Sequence, residues 1–384
     1  MPRKKRTVQR GKKPPSAMGS PVGLKALAKY VGLSPTTLSL VLNQSPVANS
    51  IPATTKRRIF AAAQKFNYRP NFLARSLRAR RSFTLGVIVP EVSDGYASLV
   101  LSGIEDRLLE EGYFYFVVSH RHKPDLIQQY ERLLLERSVE GLIAVDTPCR
   151  EPLSIPVVAV SGHDEVEGVT NIRVNHTRAA ELALDHLLEL GHRRIAYIKG
   201  QSFSSDTQVR WDAIREACGR RGLKFDPKLV SQLEGESPSP EPGYVATRKL
   251  LGAKTPFTAL FAFNDMSAIG AIRALREAGF RVPEDISVIG FDDVWSAAFQ
   301  NPALTTIRQP LWKMGALAAE TALERIANGR KSTYPRVQTV EPELIVREST
   351  CRVRSEEKME PSAEDEGSEK KNRRAVLNNT MSRE

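Results

Sequence analysis

Apolar residues recur along this chain in two different rhythms. Between residues 22 and 69 the period is helical. Leu24, Leu27, Ala28 and Val31 fall at i, i+3, i+4 and i+7, one face of a first helix. Gly32 supplies a turn, and Ser34-Pro35 starts a second helix. Serine caps there, and proline at the first helical position loses no needed N–H. Leu38, Val41 and Leu42 face inward from this helix; Thr36, Thr37, Ser39 and Leu40 face outward. A third helix begins near Thr54 or Thr55 and is expected to bury Ile59, Phe60, Ala63 and Phe66. Residues 70–82 form a linker that can be helical, with Asn71 as a cap. The segment is too short to hold a helix alone, because nucleation is costly.

From residue 84 the rhythm changes to short apolar runs alternating with helical patterns. The strand candidates are Leu85–Val89, Tyr115–Ser119, Gly141–Val145, Val157–Val160, Ile195–Ile198, Ala259–Ala262 and Ser287–Gly290. Helices are expected around 98–112, 125–137, 177–190, 207–222, 243–252, 265–279 and 311–329. This alternation predicts an α/β fold with parallel sheets and helices on both faces. The strands are too many for one small sheet, so two similar lobes are expected. The domain reading is a disordered basic arm at 1–20, a helix–turn–helix unit at 21–69, a linker at 70–82, a two-lobed α/β domain at 83–350 and a disordered tail at 351–384. The tail carries no leucine heptads and so gives no sign of a tetramerising coiled coil.

Charge sharpens the picture. No Asp or Glu precedes Glu91, while the first 90 residues hold 18 Lys and Arg. The net charge of the whole chain is +12, so the remaining residues sum to −6. One end is built for a polyanion, and a helix–turn–helix inside it points to DNA. Three scattered cysteines, Cys149, Cys218 and Cys351, lack metal-ligand spacing and fit reduced thiols in a cytoplasmic protein. No apolar run reaches the roughly 18 residues of a membrane span. The basic start has no apolar core after it, so no secretory leader is expected. Neither a zinc-protease H-E-x-x-H, nor a nucleophile elbow, nor a phosphate loop occurs, so an enzyme is not expected. No cofactor is implied. A solute-binding transport protein and an enzyme on a doubly wound sheet are the rival readings. The acid-free end argues against both.

The run Leu24-Lys25-Ala26-Leu27-Ala28-Lys29-Tyr30-Val31-Gly32-Leu33-Ser34-Pro35-Thr36-Thr37-Leu38-Ser39-Leu40-Val41-Leu42-Asn43 closely resembles the lactose-repressor family of bacterial transcription regulators. Asn67-Tyr68-Arg69-Pro70-Asn71, Ala74-Arg75-Ser76-Leu77, Gly191-His192-Arg193-Arg194-Ile195, Phe263-Asn264-Asp265, Val282 to Asp293 and Leu304-Thr305-Thr306-Ile307 extend the resemblance over roughly 22–350. It implies a helix–turn–helix headpiece, a hinge helix, and a sensor like the periplasmic sugar-binding proteins, with three crossings between discontinuous lobes. It further implies a homodimer on a pseudo-palindromic operator and a small polar effector, a sugar or sugar derivative.

By the same resemblance, Thr36 and Leu40 read bases beside Pro35. Ser34, Thr37, Ser39, Asn43 and Lys56 serve phosphates or local caps; for Ser34 a cap is at least as good a role. Many relatives carry Arg or His where Leu40 stands, so a thymine methyl is its natural partner. Leu77 matches the hinge leucine that wedges into the minor groove. Asn71, Ala74, Arg75 and Arg78 complete the hinge contacts. In the sensor, Arg210 and Asp292 match cleft residues, with Asn264, Ser93 and Tyr96 on the walls. Ser161 stands where some sugar-binding relatives carry an acid. Asp265 and Asp293 are equally suited to capping helices.

Overall fold

A computed structural model of the protein describes residues 22–43, 45–68, 76, 80–93, 95–329 and 334–353. The chain divides into two compact units between Ser82 and Phe83. The basic arm, the tail and the hinge positions Asn71, Ala74, Arg75, Leu77 and Arg78 lie outside the described residues.

Among its described residues the first unit holds the helices α1 (Leu24–Val31), α2 (Pro35–Leu42) and α3 (Ala53–Lys65), with a 3-10 turn at Pro46–Ser50. Their core is Leu27, Ala28, Val31, Leu38, Val41, Ala48, Ile59 and Ala62. Gly32 ends α1 in the left-handed region, at φ +75°, which only glycine enters cheaply. Arg58 donates to the Val31 carbonyl at 3.0 Å and so satisfies an orphan of the same helix end. One expectation is corrected. Phe60 is 44% exposed, and Ala62 is the buried residue. The inward stripe of α3 runs through Ile59, Ala62, Ala63 and Phe66, and Phe60 lies about 100° around the helix from Ile59.

The second unit holds two six-stranded sheets. One contains β1 (Thr84–Val89), β2 (Phe114–Ser119), β3 (Gly141–Val145), β4 (Val157–Val160), β5 (Val169–Val174) and β11 (Val337–Val340), in the order β11-β5-β4-β3-β1-β2. The other contains β6 (Ile195–Lys199), β7 (Val230–Gln232), β8 (Ala259–Phe261), β9 (Ser287–Asp292), β10 (Thr305–Arg308) and β12 (Glu343–Ile345), in the order β12-β10-β9-β8-β6-β7. The winding is the same in both. Neighbouring strands run parallel except β12, which runs antiparallel to β10. Strands β5, β7, β10, β11 and β12 escape the sequence pattern. They are short or interrupted by polar residues, such as Asn171 and Arg173 in β5.

Helices cover the sheets: α4 (Gly95–Glu110), α5 (Pro124–Glu136), α6 (His176–Glu189), α7 (Asp206–Arg220), α8 (Glu241–Gly252), α9 (Asp265–Glu277), the short α10 (Trp295–Phe299) and α11 (Leu311–Asn328). The chain crosses between lobes after β5, after β10 and after β11. On its return, α11 packs against α4 in the first lobe. A Cβ on Gly103 or Gly315 would strike the backbone of the facing helix, so the approach needs glycine on both. The second lobe repeats the device with Gly243 and Gly270 between α8 and α9.

Candidate nucleic-acid interface and ligand cleft

Helix α2 follows the turn at Gly32, and its partly open side carries Pro35, Thr36, Ser39 and Leu40. Ser34 caps it: its Oγ accepts from the Thr37 N–H at 3.0 Å and shares a 2.9 Å hydrogen bond with the Thr37 hydroxyl. Capping is therefore the role this geometry gives Ser34. Asn43 closes the other end, donating from its side chain to the Ser39 carbonyl at 2.8 Å and to the Ser39 hydroxyl at 3.1 Å. Pro35 and Thr36 are exposed at the start of the helix; Thr37, Ser39 and Lys56 are half-buried. Leu40 is also half-buried and packs partly on the headpiece core. Only part of its surface remains for a base, which narrows the outward role read from the sequence.

In the second unit, a cavity of about 90 Å³ opens between the lobes. Most of its polar walls stand at the carboxyl ends of parallel strands, where α/β sheets bind ligands. Glu91 follows β1, Asp146 follows β3, Gln201, Phe203, Ser204 and Asp206 follow β6, Phe263 and Asn264 follow β8, and Asp292 ends β9. Backbone strain collects at the same strand ends. Asp146, Ser161, Asp292 and Asp293 all have positive φ, with Asp292 at +113°. Non-glycine residues pay for such conformations, and the strain tends to cluster at binding sites.

Tyr96, Arg210, Asn264 and Asp292 line the cavity. Ser93 and Ser161 do not. Ser93 is exposed in the turn before α4. Ser161 is buried with its hydroxyl 2.7 Å from that of Tyr96, a pairing that occupies it inside the wall. Asn264 caps α9, accepting from the Ser267 N–H at 2.9 Å while Ser267 returns a bond to the Asn264 N–H. Asp265 is no cap. It is fully buried and accepts from Thr306 at 2.5 Å and from the Val294 N–H at 2.9 Å, tying β10 to the loop after β9. Burial pushes its carboxyl up to about 7. Asp293 pairs with Arg308 and Arg347 instead of capping a helix.

Arg210 is the centre of the cleft. Its guanidinium carbon lies 3.7 Å from the centroid of the Phe291 ring and 4.4 Å from that of Phe263. It donates to the Phe263 carbonyl and, at 3.0 Å, to Asp206 one helical turn earlier. The Asp206 carboxylate also accepts from His163 at 2.6 Å and His176 at 3.2 Å. Burial pushes the Asp206 carboxyl up, but His176, His163 and Arg210 outweigh it and hold it well below the carboxylate range. Asp292 accepts from Gln309, on the second crossing, at 2.7 Å. The Tyr96 hydroxyl is raised well above its ordinary value by burial and by the charges of Asp206, Asp146 and Asp292. Across the cleft, Asp146 of the first lobe accepts from the Ser205 hydroxyl at 2.7 Å, and the His122 and Phe203 rings meet at 3.9 Å.

Sequence reasoning missed Asp146, Asp206, His163 and His176. Two carried a signal. Asp146 directly follows a predicted strand, and Asp206 stands four residues before Arg210 on one helix face.

A family model described as "Bacterial regulatory proteins, lacI family" matches residues 23–71, and one described as "Periplasmic binding protein-like domain" matches residues 184–350. The chain is 31% identical over 334 residues to the HTH-type transcriptional repressor PurR of Pasteurella multocida, covering 85% of this chain and 98% of that protein. It is 32% identical over 337 residues to the protein of the same name from Haemophilus influenzae, with the same coverage. Among solved structures it is similar to the lac repressor dimer bound to operator and the anti-inducer ONPF, with a TM-score of 0.76 and 27% identity over 86% of this chain and all of that one. The transcriptional regulator CelR in complex with cellobiose gives a TM-score of 0.61 at 27% identity, over 85% of this chain and 99% of that one. These relatives are regulators, not enzymes. A helix–turn–helix unit, a two-lobed α/β sensor and relatives matched over nearly their whole length lead to one conclusion: the chain belongs to the lacI family of bacterial regulatory proteins, as a DNA-binding transcriptional repressor with a ligand-binding domain.

Proposed function

We propose that this repressor works as a cytoplasmic homodimer on a pseudo-palindromic operator, and that a sugar or sugar derivative bound between the lobes sets its affinity for DNA. The observation that carries the effector reading is the composition of the cavity wall. Glu91, Asp146, Asp206, Glu236 and Asp292 face one guanidinium, Arg210, which Asp206 already pairs. Carboxylates accept from hydroxyls, and Gln201, Asn264, Ser204 and Ser239 supply both donors and acceptors. Phe203 and Phe263 offer apolar faces for the carbon skeleton. Such a wall suits a neutral polyol and repels a phosphate. Similar structures with sugars include the cellobiose complex above and a regulator of this family from Enterococcus faecium with bound ribose (TM-score 0.61, 27% identity).

On DNA, Pro35, Thr36 and the open part of Leu40 meet base edges, while Thr37, Ser39, Asn43, Lys56 and the hinge cations position the backbone. Leu77 wedges the minor groove. The effector acts only through its difference in affinity between the DNA-bound and free arrangements, so an inducer favours the free one and a corepressor the bound one.

The test is calorimetry of the full chain against neutral sugars, their phosphates and heteroaromatic bases, followed by DNA shift with any ligand found. Binding of a neutral sugar that changes operator affinity supports the proposal. Binding of a base or a sugar phosphate in place of neutral sugars overturns the effector class. A flat dependence of DNA affinity on salt contradicts phosphate neutralisation by the acid-free end.

A further inference from the structure

Beside the ligand cavity the two lobes meet over a cluster that shares only Asp206 with the effector reading. His163 follows β4 in the first lobe. His176 opens α6 just past the first crossing, and Asp206 opens α7 in the second lobe. The Nε2 atoms of both histidines face the same Asp206 oxygen, and the three candidate ligand atoms lie within 4.8 Å of one another. Their side chains are only 14%, 5% and 6% exposed. We propose that His163, His176 and Asp206 form a site for a divalent transition-metal ion, zinc foremost, that clamps the two lobes together.

Three arguments support this. The donor set comes first. Two imidazoles and a carboxylate, with a fourth position open to water or a ligand, is the set zinc takes in non-structural sites, and imidazole favours zinc, copper or nickel over magnesium or calcium. Spacing is the second. Ligand atoms 2.0–2.2 Å from a tetrahedral ion stand roughly 3.3 Å apart. The 2.6 Å and 3.2 Å separations at Asp206 need only small shifts to admit one. Charge is the third. Arg210 opposes a cation, but it holds the other oxygen of Asp206 at 3.0 Å and so acts as an outer-shell anchor that fixes the carboxylate. Against it stand Asp146 and Asp292, both close enough to act on Tyr96, and Glu91 and Glu236 on the cavity wall. One feature works the other way. His176 Nδ1 is buried without a partner, and it would carry the ring proton once Nε2 holds metal. The two Nε2–H bonds to Asp206 would also be given up, and three coordination bonds are set against these costs.

Because the ligands come from both lobes, a bound ion would favour the closed arrangement and give the regulator a second input. The inference is independent of the effector's identity, and its test needs no effector. The full chain is stripped with chelator and titrated with zinc ion in competition with a chromogenic chelator. One zinc per chain is expected. His163→Gln and His176→Gln should each weaken it at least about tenfold, since even outer-shell losses cost that much. His186→Gln, away from the cluster, should leave it unchanged. Absence of stoichiometric zinc, or wild-type affinity in both cluster variants, overturns the proposal. If His176→Gln does not fold, X-ray absorption at the zinc edge of the wild-type protein decides: two imidazole nitrogens support the site, and one or none overturns it.

Discussion

The headpiece and the cleft prepare for their partners in opposite ways. At the exposed start of α2, Pro35 and Thr36 are open to solvent, and the hydrogen bonds of Ser34 and Asn43 serve only to cap the helix. No carboxylate stands anywhere in this end of the chain. In the cleft, Arg210, Asp206 and Asp292 are buried, Asp146 is half-buried, and each is already engaged: Arg210 with Asp206, Asp292 with Gln309, Asp146 with Ser205. The difference follows from the partner. DNA brings its own charges and is read by groups left open until it arrives. A small ligand must be met by groups held in place beforehand, because a buried polar atom without a partner is costly. Damage in the cleft should therefore reach stability, whereas damage on the outer face of α2 should reach specificity alone.

Removing Arg210 should have the largest effect. Arg210→Ala leaves buried Asp206 with only His163 and His176 as partners, and breaking a buried pair from one side costs up to about 3–5 kcal/mol. Urea unfolding of residues 83–353, followed by tryptophan fluorescence, should show that loss; Arg210→Met with Asp206→Leu should recover much of it. An Arg210→Ala protein of wild-type stability would mean that the pair is not desolvated in solution. Next comes the cap. Ser34→Ala should cost the headpiece about 1 kcal/mol, while Thr36→Ala, which ends no helix, should stay within about 0.5 kcal/mol. Hydrogen exchange in α1 to α3 separates the two, and equal protection in both would contradict the division of labour within α2.

The last effect shows only in acid. His120 is buried, its Nε2 3.1 Å from the Thr147 hydroxyl and its Nδ1 accepting from the His122 N–H at 3.1 Å. Burial, and then the charge on His122, lower it to about 4. The unfolded chain takes up this proton near pH 6.5 and the folded one near 4. The stabilising contribution is thus complete above pH 6.5 and is lost as pH falls from there towards 4. His120→Gln should flatten that part of the stability profile, and an unchanged profile would remove His120 from the account.

The two regions also differed in how far the sequence revealed them. The headpiece is local. The α1 stripe, Gly32, the Ser34-Pro35 start and the buried Leu38 and Val41 all follow from spacing within a few residues. Phe60 went astray because an apolar residue one step off the stripe has the same composition as one on it. The β/α alternation was equally legible where strands were continuous and apolar, as in β1, β3 and β4. It failed at β5, β7, β10, β11 and β12, whose places come from pairing with strands already present. In the cleft, resemblance pointed to Arg210 and Asp292, and helical spacing could have added Asp206. Nothing local could have joined His163 and His176 to it. They lie 43 and 30 residues from Asp206: packing of α6 on α7 brings His176 to it, and only the meeting of the two lobes brings His163.

Selection of full-length protein on randomised DNA duplexes tests the central claim most directly, the proposal that this repressor reads bases through α2. Wild type, Thr36→Ala, Leu40→Ala and Lys56→Ala are compared. The account predicts a pseudo-palindromic preference that changes at the same position in both half-sites for Thr36→Ala and for Leu40→Ala, with an even loss of affinity and an unchanged preference for Lys56→Ala. The same preferred sequence in all four proteins, or no sequence preference in the wild type, would contradict it.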